Sequence, residues 1–173
     1  MGIDLDCGQE KMRALIIILL LSSTTCFAQK TKIDYIVFGV YCGECDHHCA
    51  TMFKIENNKI LVDTTDSYFR HKKDTIIFSD YEPGKEFYNE AKAAIDSIPE
   101  ILLDTNLDTK VFGEPDARDQ CGIYVQFKTN NRVRTFLIDT EPENGNDIPK
   151  ELRVYRKIIR RIHYKFYQMV WDR

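Results

Sequence analysis

At 173 residues, with 43% hydrophobic and 29% charged side chains, the chain has room for one ordinary domain. A domain of that size buries roughly two thirds of its unfolded surface, so folding does not depend on a metal. The formal net charge of −3 is mild, but residues 29–149 carry a balance of −8 and residues 150–173 one of +6. So acidic a body argues against a nucleic-acid partner.

Residues 14–21 (ALIIILLL) are an apolar core too short to span a bilayer. Arg13 precedes it, the polar run SSTT follows, and small residues stand at Cys26 and Ala28. This is the pattern of a secretory signal peptide cleaved after Ala28. Asp4, Asp6 and Glu10 outnumber Lys11 where such a leader is positive, so Met12 is read as the true start. A rival reading makes Cys26 a lipidated first residue, although Thr25 before it departs from the usual small-residue lipobox. The expectation is a leader over 1–28 and a single α+β domain over 29–173. Its location is periplasmic or secreted, with lipid anchoring through Cys26 as the alternative and no transmembrane segment once the leader is gone.

Residues 35–41 (YIVFGVY) form a short, nearly unbroken apolar run rich in β-branched and aromatic residues, which reads as a strand buried on both faces. Residues 50–64 contain two strand-like runs joined at Asn57-Asn58, and asparagine tolerates the positive φ of a tight hairpin turn. Residues 75–78 (TIIF) offer a further short strand. Phe87, Ala91, Ala94, Ile95 and Ile98 then fall at helical spacing until Pro99 interrupts. Residues 102–112 read as loop with a short strand.

Residues 121–140 make a second hairpin that echoes the first. Phe53-Lys54 precedes Asn57-Asn58, Phe127-Lys128 precedes Asn130-Asn131, and each hairpin closes on Asp-Thr, at Asp63-Thr64 and Asp139-Thr140. With a helix after each, the pattern suggests a ββα–ββα pseudo-repeat. The last element is a basic amphipathic helix over 149–169. Pro149 fits its first turn, and Leu152, Tyr155, Ile159, Ile162, Phe166 and Met169 form its apolar stripe. Arg153, Arg156, Lys157, Arg160 and Arg161 are expected on its outer face, where they would meet a partner protein or the membrane envelope.

The chemistry of the chain turns on its thiols. Cys7 and Cys26 leave with the leader, so Cys42, Cys45, Cys49 and Cys121 remain. An exported chain with an even count reads first as two disulfides, in any of three connectivities. Tyr41-Cys42-Gly43-Glu44-Cys45 is similar to the redox motif of thioredoxin-like proteins. There a helix amino terminus lowers the thiol pKa, whereas here residues 50–55 alternate like a strand and no cis-proline partner is visible. Zinc would draw on Cys42, Cys45 and Cys49 with Cys121, His47 or His48, although only one of the usual two knuckles is present. Asp46 stands where a c-type haem needs histidine, so haem is rejected. No Gly-rich phosphate loop or G-x-S-x-G elbow occurs, and Asp63 and Asp139 read as turn formers rather than paired carboxylates. No cofactor is expected.

The Cys45-x-x-x-Cys49 segment opening a strand, the Asn-rich hairpin, the helix and the second hairpin ahead of a final helix resemble an uncharacterised family of exported bacterial domains. The resemblance spans most of residues 33–168. That family has proline after the second cysteine, where this chain has Ala50, and this chain adds Cys42 and Cys121. The resemblance implies a Cys45–Cys49 pair, which leaves Cys42 for Cys121.

The sequence therefore leads to an antiparallel sheet built from two β-hairpins with two helices on one face. Function is expected to be non-catalytic binding or inhibition of an unknown protein or envelope component. The alternative is thiol–disulfide or metal handling through Cys42-x-x-Cys45.

Overall fold

The apolar run near the amino end is the middle of a sheet. In the computed structural model, which describes residues 32–43, 45, 48–63, 65–70, 76–79, 81–115, 120–140 and 148–170, strand β1 (Tyr35–Cys42) is paired on both sides. Antiparallel neighbours β2 (Ala50–Glu56) and β5 (Cys121–Thr129) flank it. A strand with partners on both edges and packed material on both faces has no use for alternating polarity, which explains its composition. Gly39 permits the closest approach. A β-carbon there would collide with the Thr51 carbonyl oxygen and lie 2.6 Å from the sulfur of Met52.

Strands β3 (Lys59–Asp63) and β6 (Arg132–Asp139) return from β2 and β5 through two-residue loops. Asn57 and Asn58 take φ of 51° and 60°, and Asn130 and Asn131 take 48° and 63°. Two successive positive φ values are what the hairpin turn matched to strand twist requires, and asparagine supplies them. Strand β4 (Thr109–Phe112) joins the far edge, parallel to β6. The order is β3-β2-β1-β5-β6-β4. The sheet is thus mixed rather than antiparallel. The ambiguous stretch after the helices supplies a four-residue edge strand, and only Phe112 within it is buried.

The helical segments are α1 (Ser67–Arg70), α2 (Lys85–Ala91), α3 (Ala93–Asp96), α4 (Glu100–Leu103) and α5 (Lys150–Val170). The expected helix through residues 87–98 is realised as α2 and α3, joined at Lys92, whose backbone stays helical. Pro99 ends that run and opens α4. Segments α2 to α5 cover one face of the sheet. Phe87, Ala91, Ala94, Leu102, Leu152, Tyr155, Ile159, Ile162 and Phe166 meet Phe38, Phe53, Val125, Phe127 and Phe136 there.

On the opposite face Tyr68 of α1 packs with Tyr41, Met52 and Tyr124, with Ile76 and Phe78 beside them. The strand expected at 75–78 is corrected by this packing. Thr75 lies outside the described residues, and Ile76 and Phe78 turn onto the second face instead of pairing. Among the described residues of this stretch, a single bridge, from Ser79 to Val62, touches the sheet edge. Asp63 holds α1 in place, its two oxygens accepting from the backbone N–H groups of Thr65 at 2.8 Å and Ser67 at 2.9 Å. Asp139 sits on β6, with three strands between it and β3, and accepts from the backbone N–H of Glu114 at 3.1 Å. The two aspartates do not meet.

The proposed leader over 1–28, the start at Met12 and Cys26 lie outside the described residues. Among the described residues no helix is long and apolar enough to cross a membrane.

Candidate functional site

Chemistry concentrates at one end of the sheet, where β1 finishes and β5 begins. Pairing of β1 with β5 sets Cys42 directly opposite Cys121, and a disulfide joins them with 4.0 Å between α-carbons. That spacing belongs to the closer of the two kinds of antiparallel residue pair. A second disulfide joins Cys45 to Cys49 across four residues. It is tied to the first because the Cys42 backbone N–H donates to the Cys49 carbonyl at 2.8 Å. His48 takes a φ of 56° inside this small ring and is exposed. His47 lies outside the described residues.

The Cys42-x-x-Cys45 motif is therefore divided between two cystines. Both a thioredoxin-like nucleophile and a zinc site need thiolates, and here the four sulfurs are bonded in pairs. Among the described residues no group of three or more His, Cys, Asp or Glu side chains is placed to hold a metal ion.

Beside the Cys42–Cys121 cystine lies a cleft of about 360 Å³. Its described lining comprises the cystine, Val40, Gln120 and Thr140 at the ends of the strands, and Arg160, His163 and Tyr164 of α5. Thr140 is fixed by donating its backbone N–H to the Cys121 carbonyl at 3.3 Å, and its hydroxyl reaches the same oxygen. Burial, reinforced by the neighbouring Arg160 charge, pushes the His163 imidazole down to about 4, so it is neutral at physiological pH.

The cations of α5 separate into distinct environments. Arg153, Lys157 and Arg160 share the outward side of the helix with Tyr164 and Tyr167, at the three- and four-residue spacing of one stripe. Tyr164 is 61% and Tyr167 44% exposed. Arg161 lies to one flank, where Glu90 of α2 stands 3.9 Å from it and also pairs with Lys165. Arg156 corrects the expectation of an outer basic face. It is only 3% exposed, and its guanidinium donates to the Asp139 carbonyl at 3.1 Å. Arg156 stands one turn before Arg160 but on the flank that faces the sheet, where it closes the end of β6.

The cystine corner is legible in the sequence, whereas the cleft is not. His163 and Tyr164 read as ordinary helix residues, because their role depends on α5 crossing the end of β1. A histidine three residues after Arg160 and four after Ile159, on the border between the polar and apolar sides, was the available signal.

Comparison with protein-family models finds none that matches the chain, and comparison with curated proteins finds no similar sequence.

Proposed function

We propose that this is a small exported protein of the non-catalytic binding type, stabilised by its cystines, which recognises an acidic protein surface through the outer stripe of α5. One observation carries the reading: Tyr164 and Tyr167 stand exposed in line with Arg160, Lys157 and Arg153. Tyrosine and arginine are the side chains most enriched where partners are gripped, since each offers area and hydrogen bonding together. The helix is held rigidly from behind by its apolar stripe, which limits the ordering cost of binding.

Two cystines and the absence of a membrane-spanning helix among the described residues fit an exported chain. The cleaved leader and membership of the exported bacterial family are part of the same proposal. So is the reading of the two Asn-Asn hairpins as halves of a ββα–ββα pseudo-repeat.

The reading is tested by photo-crosslinking in the producing cell, with a photoreactive residue at position 167 and a control at position 110 on the edge strand β4. A discrete adduct from 167 alone, lost on Lys157→Glu, is expected. Equal labelling from both positions would defeat the proposal, and adducts to lipid rather than protein would redirect it to the envelope surface.

A further inference from the structure

The cleft at the end of β1 has a chemistry that the outer stripe of α5 does not use. Among the described residues that line it, only Arg160 carries a fixed positive charge. Arg161 and Lys165 have Glu90 as a partner, whereas Arg160 has no carboxylate partner among the described residues. The second basic group, His163, lies between Arg160 and the core, makes no hydrogen bond to another described residue, and is neutral. One cation with a neutral imidazole balances a monoanion; a dianion would need a second charge. The planar fork of a guanidinium matches a carboxylate best among singly charged groups.

The rest of the described lining mixes polar Gln120 and Thr140 with an apolar, polarisable part made by the Cys42–Cys121 cystine, Val40 and Tyr164. At about 360 Å³ the space suits a small molecule.

We infer that the cleft beside the Cys42–Cys121 cystine binds a small aromatic carboxylate, with its carboxylate on Arg160 and its ring between Tyr164 and the cystine. The His163 side chain supplies a neutral hydrogen bond that orients it. This goes beyond the protein-recognition reading. Arg160 and Tyr164 serve both surfaces, but His163 belongs to the cleft alone, and Lys157 and Tyr167 to the stripe alone.

The test is titration of the full, disulfide-bonded chain with benzoate, followed by heteronuclear NMR, with benzyl alcohol as the uncharged control. Benzoate is expected to shift the His163 imidazole resonances saturably with a Kd of roughly 1 mM or tighter. Arg160→Gln should weaken binding about tenfold or more, equivalent to about 1.4 kcal/mol. Arg160→Lys should lose less, and Lys157→Gln should change the Kd by less than about twofold, as expected for an exposed charge outside the cleft. The inference is overturned by a linear, non-saturating response, by equal binding of benzyl alcohol, or by an Arg160→Gln protein that binds like the parent. A folded Arg160→Gln chain, judged by its amide spectrum, is the condition for reading the comparison. Were it to unfold, His163→Leu, which removes the orienting hydrogen bond, should weaken benzoate binding severalfold as read through the tyrosine ring resonances, and parent-like binding would overturn the inference. Loss of the position-167 crosslink with benzoate binding intact would leave this inference standing without the other.

Discussion

The hydroxyl of Tyr155 donates to the carbonyl oxygen of Ala94 at 2.8 Å, joining the first half of α5 to α3 inside the core. Burial pushes the ionisation of this phenol far above its ordinary value, so the group remains a donor at any pH the fold survives. Tyr155→Phe keeps the ring and removes the donor, which leaves a buried carbonyl unsatisfied. The expected cost is about 1–3 kcal/mol. It would appear in urea unfolding as a lower midpoint with an unchanged slope. A variant as stable as the parent would mean that water replaces the hydroxyl there.

The elements legible in the sequence are those whose signal is local. Asn57-Asn58 and Asn130-Asn131 declare their turns because the positive φ is a property of two residues. The stripe of α5 declares its helix because six apolar positions repeat along it. What was hidden depends on distant partners. The sequence Thr-Lys-Val-Phe at 109–112 becomes a strand because β6 lends it an edge, and Ile76 and Phe78 leave the strand pattern because Tyr68 offers them a surface. Arg156 looks like its neighbours in sequence, and its burial against the carbonyl of Asp139 at the end of β6 distinguishes it. The cleft follows the same logic, being assembled from β1, β5, the end of β6 and α5.

The two cystines should differ in what they contribute. Cys42–Cys121 spans a separation of 79 residues and Cys45–Cys49 one of 4. In the chain-entropy model these loops correspond to roughly 4.5 and 2 kcal/mol of denatured-state restriction. The double variant Cys42→Ser/Cys121→Ser should therefore lose about twice as much stability as Cys45→Ser/Cys49→Ser. Denaturant unfolding of both decides it, and a reversed order would show that the small ring at 45–49 positions the end of β1 enthalpically.

Replacing Arg156 should behave unlike replacing its neighbours on α5. Its guanidinium is buried against the end of β6, so Arg156→Ala removes packed methylenes and leaves the Asp139 carbonyl without that donor. A loss of about 2–4 kcal/mol is expected. Lys157→Ala, on the exposed side, should cost less than about 0.5 kcal/mol. Thermal unfolding of the pair separates the structural arginine from the surface lysine, and equal melting temperatures would remove Arg156 from the core.

His163 gives the fold a pH dependence whose sign follows from its environment. Burial and Arg160 hold its folded value at about 4, against an unfolded value of 6.5. Between those limits the unfolded chain binds a proton that the folded chain refuses, so stability falls as the pH falls. The contribution is complete above about pH 6.5 and is lost progressively toward pH 4, by at most about 3 kcal/mol. Other groups titrate in the same window, so the informative quantity is the difference between parent and His163→Gln, which cannot take up that proton. That difference should be flat above pH 7 and fall steadily in favour of the variant down to pH 4. A difference that stays constant across the range would mean that His163 titrates as it does in the unfolded chain and that the cleft is as wet as the surface.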